Sequence, residues 1–494
     1  MKPMLRRVSM LLCVVTLLSL MLTAIGCGKS DTTAEQTTAA TTDAAATTTA
    51  STEATTAATA ETAPAYNYAD VNYGGATFAI LNAEDRYAML YQLMPEEISG
   101  ETVNDARYQL NAEVSERYNI TMKETQVAYN DLLTFAQKEV LSGTPEHDIF
   151  YLSPKQIASL MNAGYMYNLL EVDKLDVTGD WWDQNLVETG TLKDQYLFYL
   201  GGNYHLQGFE GTTCVFFNKE MFDTLKLENP YDTVRSGKWT FDKMYELASA
   251  AVSLNGDESF TYSANGKAVY GIATISNMMP AFIMGCDAYY VEKDENGAPV
   301  LGFTTEHFQN VCNKIATLTS QPGVYNAKNE VALFMANRAL MIGAEIKAAA
   351  NEMRDMNTEF GMLPVPKYDE AQENYVTNMY WATHVVSIPT TCVDVDRAAI
   401  VIETLNYEAT EKLLPVYYDR VSYKGLRDND SIDMLEIIRT TRYYNWGLAY
   451  DWIESIEPNV HDMLLAGNGN ISSLVAASKK IVEKLITKTM DSLK

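Results

Sequence analysis

Downstream of residue 65, short apolar runs bounded by turn residues alternate with stretches of helical periodicity, which is the pattern of an α/β protein. Ala76 to Leu81 follows a turn at Tyr73-Gly74-Gly75 and reads as an opening strand. Asn104 to Tyr118 then predicts a helix and Ile120 to Glu124 a second strand. Asp148 to Leu152 has the length of a buried strand and leads through Ser153-Pro154 into a helix with Ile157, Leu160 and Met161 on one face. Cys214 to Phe217 is a further strand candidate, passing through Asn218-Lys219 into a short helix at Glu220 to Leu225. After Trp239, Thr240 suits an N-cap, and Met244, Leu247, Ala248, Ala251 and Val252 keep helical spacing. The prolines extend Phe360 to Pro366, and His384 to Pro389 reads as a strand ended by proline. A last helix is marked by Leu474, Val475, Ser478, Ile481, Val482, Leu485 and Ile486.

The first residues obey a different pattern. Lys2, Arg6 and Arg7 precede an apolar run from about Met10 to Ile25, a charged region and a hydrophobic region of export type. The segment Leu22 to Cys27 resembles a bacterial lipoprotein lipobox, with Ala24 where that motif carries Leu; the likeness makes residues 1–27 a signal peptide and Cys27 the lipidated residue of the mature chain. Retention as an uncleaved anchor, or an incidental Cys27, are the alternatives, and each places the rest of the chain outside the cytoplasm. Between Thr32 and Ala63, 26 of 32 residues are Thr or Ala. With no large apolar side chain this stretch cannot offset its ordering entropy, so residues 28–65 are expected to be a disordered linker that spaces a folded body from a membrane.

Composition sharpens the rest. The 494 residues carry 37 Lys+Arg against 64 Asp+Glu, a net charge of −27, nearly all of it on the body. Such acidity argues against nucleic acid as a partner. A body of this size exceeds one typical core, so two lobes are expected. Cys214, Cys286, Cys312 and Cys392 show no CxxC spacing and leave disulfides or buried thiols equally open. The histidines His147, His205, His307, His384 and His461 are dispersed, and no nucleotide loop or nucleophile motif is present; neither a metal site, a cofactor nor a catalytic residue is expected. Asn255-Gly256-Asp257-Glu258 starts like a calcium loop but lacks the ligands that should follow, and reads as a turn.

Aromatic usage is more informative. Tyr 31 and Trp 6 against Phe 15 favours rings with an apolar face and a polar tip, which suit sugar faces as well as wet packing. They concentrate at Trp181-Trp182-Asp183, Tyr196 to Tyr204, Tyr380-Trp381 and Tyr443 to Trp446. Adjacent Trp181 and Trp182 in extended chain point to opposite sides, so one is expected to meet solvent or ligand.

The order of these segments resembles the extracellular solute-binding proteins of bacterial family 1, the sugar-type lipoproteins that serve ABC importers. The likeness is carried by Asp148 to Asp173, by Thr213 to Ala248 with its strand, Asn-Lys, short helix and Trp-Thr unit, by Val331 to Gly343, and by Phe360 to Tyr368 together with Val385 to Leu405. It implies a two-lobed, type II periplasmic-binding-protein-like α/β fold with lobe one at 66–210 plus 363–408, lobe two at 211–362 plus 409–494, and a ligand in the cleft between them. It further implies ligand contacts from Trp181, Trp182, Asp183, Tyr204, Glu210, Tyr380, Trp381, Tyr444 and Trp446. Where many sugar binders of the family place an aromatic platform this chain has Ala344-Glu345, so Glu345 joins the candidates as a partner for hydroxyls or a cation.

The resulting expectation is a monomeric, lipid-anchored binding protein on the outer face of the plasma membrane, which captures an oligosaccharide and delivers it to ABC transporter permease subunits without acting as an enzyme. A lipid-anchored glycoside hydrolase needs only a carboxylate pair at the right separation and is one alternative. A binder of a cationic or peptide ligand on the same fold is the other.

Overall fold

The computed structural model describes residues 66–84, 92–275, 277–326, 328–424, 426 and 428–493. The export segment, Cys27 and the whole Thr/Ala-rich linker lie outside them. Residues Tyr68–Lys494 form one compact unit. Its chain runs β1 (Ala76–Ala83), α1 (Thr102–Tyr118), β2 (Ile120–Val127), α2 (Tyr129–Ser142), β3 (Ile149–Leu152) and α3 (Pro154–Met161). It continues through β4 (Thr213–Asn218), α4 (Phe241–Ser249), β5 (Tyr270–Thr274), α5 (Met278–Gly285), α6 (Glu306–Thr319), β6 (Val324–Asn326), β7 (Ala339–Glu345) and β8 (Phe360–Leu363). The last stretch gives β9 (Thr377–Asn378), β10 (Val385–Ser387), α7 (Val395–Glu408), α8 (Leu414–Lys424), β11 (Arg442–Tyr443), α9 (Glu457–Leu465) and α10 (Ser472–Ser492).

Two sheets organise these elements. The first has the order β10-β3-β1-β2, with β1 parallel to β2 and β3 and with β10 antiparallel to β3. The second has the order β8-β4-β7-β5-β6, antiparallel through β8, β4 and β7 and parallel from β7 to β6. The chain passes from one sheet to the other between Leu200 and Thr213 and returns between Leu363 and Val385. Leu200 and Val386 exchange backbone hydrogen bonds of 2.9 Å, so the outgoing and returning segments are tied together beside the first sheet.

Both faces of each sheet are covered, which explains why the strands read as continuous apolar runs. Along β4 all six residues are buried, and Val215 and Phe217 enter one apolar cluster while Cys214 and Phe216 enter another. The same period-2 split divides Phe150 and Leu152 from Ile149 and Tyr151 on β3.

Local signals place the helices. Ser153 and Gln156 form a capping box with Pro154 at the first position of α3. Asn218 accepts from the Met221 amide at 3.0 Å, and Thr240, the N-cap expected from the sequence, from the Lys243 amide at 3.2 Å. Trp239 is buried and donates Nε1–H to the Pro364 carbonyl at 2.8 Å. The helix predicted through Val252 ends at Ser249, because Ser253 turns into a β-bridge with Val269. The four body cysteines are buried and free. The Asn255-Gly256 stretch is a turn, with the Asp257 carboxylate accepting from the Lys267 and Ala268 amides at 2.6 and 2.7 Å.

Candidate functional site

The register of the second sheet opposes Thr213, the first residue of β4, to Glu345, the last of β7, and so brings both to one edge of a cavity of about 420 Å³. The returning segment crosses above them and contributes Asn378, Met379, Tyr380 and Trp381. Asn277 and Pro280, at the start of α5, close one side. The opposite wall comes from the C-terminal region through Asn445, Leu448, Glu454, Glu457, His461 and Asp462. Lys155, on α3, reaches in from the first sheet's side.

Hydrogen bonds fix this lining. Thr213 Oγ1 donates to the Asn378 carbonyl at 3.0 Å, and the Tyr444 hydroxyl donates to the Trp381 carbonyl at 2.6 Å. Both bonds hold the crossing segment by its backbone and leave its side chains to the cavity. Trp381 is 41% exposed although it is a tryptophan, with its ring edge-on to Tyr129 at 5.6 Å and 5.3 Å from the Tyr380 ring. Lys347 neutralises Glu345 at 3.4 Å and sits 5.8 Å from the Tyr380 ring centre.

The far wall is acidic. Lys155 is shared between Asp451 at 2.9 Å and Glu454 at 3.3 Å. Glu457 accepts a hydrogen bond from Asn445 Nδ2 at 3.2 Å, and burial pushes its carboxyl up to about 7. One turn further along α9, burial pulls the His461 imidazole down to about 3, so the ring is neutral at physiological pH, and its Nε2 is shielded from solvent with no hydrogen-bond partner.

The sequence candidates distribute unevenly around this cavity. Glu345, Tyr380 and Trp381 line it. Trp182 is buried beside a bridge to Gly202, and Trp181 lies half-buried, edge-on to Tyr407 at 5.7 Å. Asp183 caps the helix Gln184–Gly190 and pairs with Arg442 at 2.9 Å. Tyr204 is buried and donates to Asn111 Oδ1 at 2.8 Å. Glu210 is buried near Arg107, whose charge it stabilises. Tyr444 reaches the cavity only through its bond to Trp381, and Trp446 packs edge-on against Trp452 at 5.4 Å. Of the four tryptophans at 181, 182, 381 and 446, the cavity takes one.

Sequence reasoning missed Lys155, Asn277, Asn378, Glu454, Glu457, His461 and Asp462. Asn445 was inside the aromatic stretch Tyr443 to Trp446, but attention to the rings passed over the amide between them. Glu457 and His461 stand four apart on an amphipathic helix, a spacing that puts both on one face and could have marked them.

Among the described residues one group has the composition of a metal site, Glu139, Glu146 and His147. Two of its three residues are already engaged: His147 meets Glu139 at 2.7 Å and Thr125 at 2.8 Å, and Glu139 Oε1 accepts the amides of Glu146 and His147 at 3.2 and 2.9 Å. This is a closed hydrogen-bond network tying α2 to β2 and to the entry of β3.

No curated protein matches the chain. Solved structures do match in fold. A sugar transporter of Rhizobium etli in an open conformation superposes with a TM-score of 0.58 at 13% identity, covering 83% of this chain and 99% of that one. An ABC substrate-binding protein of Listeria monocytogenes in complex with cycloalternan gives 0.54 at 12% identity, with the same coverages of 83% and 99%. UgpB of Mycobacterium tuberculosis in complex with glycerophosphocholine gives 0.52 at 12% identity, covering 84% and 99%. These likenesses establish a two-lobed α/β fold of the type II periplasmic-binding-protein kind. Residues 109–406, more than half of the chain, match the model of the bacterial extracellular solute-binding proteins, and they include every strand of the two sheets except β1, with the crossing segment that carries Trp381. The chain belongs to the bacterial extracellular solute-binding proteins.

Proposed function

We propose that this protein captures a carbohydrate in the cavity beneath Trp381 and hands it to the permease subunits of an ABC importer. The observation that carries the reading is the exposed Trp381 indole at a cavity whose lining also brings the amides Asn277, Asn378 and Asn445 and the carboxyl groups of Glu345, Glu454, Glu457 and Asp462. An apolar ring face beside hydrogen-bonding groups suits a sugar, whose C–H face stacks while its hydroxyls bond. The sugar transporter of Rhizobium and the cycloalternan complex of Listeria support the same class of ligand. The cavity draws on both sides of the crossing segments, so lobe closure around the ligand excludes water, with lobe one taken as 66–210 plus 363–408 and lobe two as 211–362 plus 409–494. Glu345 bonds hydroxyls where other sugar binders stack a ring.

The protein works as a monomer, anchored by lipid on Cys27 to the outer face of the plasma membrane, with residues 28–65 as spacer. It binds and releases its ligand unchanged. A titration of tryptophan fluorescence against a glycan panel tests this. A saturable response that disappears in Trp381→Ala is the expected result, and silence towards every sugar with a response to peptides would sink the reading. Cys27→Ala should move the protein from the membrane fraction to the medium.

A further inference from the structure

The hydrogen-bonding inventory of the cavity is lopsided, and this narrows the ligand beyond carbohydrate in general. Glu345, Glu454, Glu457 and Asp462 offer only acceptors when ionised. Several donors that could answer them are spent inside the protein. The Thr213 hydroxyl goes to the Asn378 carbonyl, Asn445 Nδ2 to Glu457, and the Lys155 ammonium to Asp451 and Glu454. Lys347 answers Glu345. With Glu457 protonated, four carboxylates (Glu345, Asp451, Glu454 and Asp462) face two ammonium groups. His461 adds a further polar atom, Nε2, which is shielded from solvent and meets no partner.

A neutral polyol brings one donor per hydroxyl, more acceptors than donors, and no charge to set against such a wall. A protonated amine brings three donors and a positive charge. We propose, resting on the carbohydrate reading above, that the ligand is an amino sugar or a similarly hydroxylated amine, with its ammonium seated on the Glu457 and His461 face of α9 and its ring against Trp381.

Glu457 gives this proposal a signature. Its surroundings are Lys155 from α3, Tyr290 after α5, Tyr444 after β11, and His461 on its own helix. Of these only Lys155 carries a positive charge, and two acids already share it. Burial, which Lys155 and the Asn445 bond only partly offset, holds the proton on this carboxyl up to about pH 7. An ammonium placed beside it favours the ionised form, so binding expels that proton.

The test is calorimetric titration of the full chain with matched pairs, glucosamine with glucose and galactosamine with galactose, and with the disaccharides of each, at about pH 6.5, where the amine is protonated. The amine of at least one pair should bind about tenfold or more tighter than its hydroxyl partner, the size expected of a hydrogen bond to a charged group. Its binding heat should change with the ionisation enthalpy of the buffer as the proton leaves. Glu457→Gln keeps the bond to Asn445; it should remove both the preference for the amine and the proton release. Neutral sugars that bind as tightly as their amines, or amine binding that releases no proton, overturn the proposal and leave the carbohydrate reading standing. If no sugar of either kind binds, that reading falls and the proposal with it.

Discussion

The Tyr444 hydroxyl lies 2.6 Å from the backbone carbonyl of Trp381 and donates to it. Tyr444 is buried, whereas Trp381 faces the cavity, so the bond joins the interior of the C-terminal region to the segment that displays the indole. β9 and β11 pair just beside it, Asn378 opposite Tyr443, which sets Tyr444 and Trp381 in register. If the cavity holds the ligand as proposed, Tyr444 acts on it through Trp381. Tyr444→Phe keeps the ring and strands the carbonyl, and should cost about 1 kcal/mol in urea unfolding. Ligand affinity should fall with it, and an affinity unchanged by the substitution would count against a positioning role.

Two tryptophans in the aromatic stretches separate stability from binding. Trp446 is 2% exposed and packs against Trp452 and Tyr450, so Trp446→Ala should destabilise the fold by about 3–5 kcal/mol. Trp381→Ala removes an exposed ring and should shift stability by about 1 kcal/mol or less. Its effect belongs in ligand affinity, which should drop by about tenfold or more. Thermal unfolding and ligand titration on the two variants would give opposite patterns; the same pattern in both would contradict the assignment of Trp381 to the cavity.

The architecture was legible in the sequence because β strands buried on both faces and capped helices leave local marks. Val215 and Phe217 against Cys214 and Phe216, and the caps Ser153, Asn218 and Thr240, are patterns of adjacent residues. The cavity was legible only in part. Trp381 and Glu345 stood out by type, one an aromatic in a Tyr-Trp pair and the other an acid ending an apolar strand. Trp182, Tyr204 and Trp446 carry the same types but are turned inward, and a linear sequence does not say which side of a loop faces a cavity. The acidic wall was invisible for another reason: in a chain with 64 acids, Glu457 and Asp462 gain meaning only when folding sets them against Lys155, some 300 residues earlier.

Asp183 shows how a ligand-like residue serves the fold. Its Oδ1 accepts the Asn185 amide at 3.2 Å, and its Oδ2 meets Arg442 at 2.9 Å, with the two side chains 6% and 7% exposed. Asn185 in turn donates to the Thr440 and Arg442 carbonyls at 2.9 Å, so the helix start and the approach to β11 form one joint. Asp183→Asn keeps a capping oxygen but leaves a buried guanidinium without its counter-charge. The expected loss is about 3–5 kcal/mol of unfolding free energy. A ligand affinity unchanged in the folded fraction would separate this structural role from direct contact.

The pH dependence of stability follows from the buried titrating groups. His384 and His461 are pulled down to about 3 by burial, and His205 well below its ordinary value by burial and by the nearby His384 and Arg107. In each case the unfolded chain takes a proton near pH 6.5 that the folded chain refuses, so stability is lost as pH falls from about 6.5 towards 3. Glu403 and Glu457 work in the other direction. Burial raises both to about 7, so the folded chain keeps protons that the unfolded chain has given up, and stability is lost as pH rises from about 4.5 to 7. Between about 4.5 and 6.5 three histidines oppose two glutamates, and the unfolded state binds roughly one proton more. Below about 4.5 the glutamates no longer contribute and all three histidines pull the same way. Urea midpoints should therefore decline gently on acidification to about pH 4.5 and steeply beyond it. His384→Gln removes one of the three protons, and the slope below about pH 4.5 should become shallower by about 1.4 kcal/mol per pH unit. A slope that the substitution leaves unchanged would mean that His384 is protonated in the folded protein, against its burial between Gln207 and the Tyr129 ring.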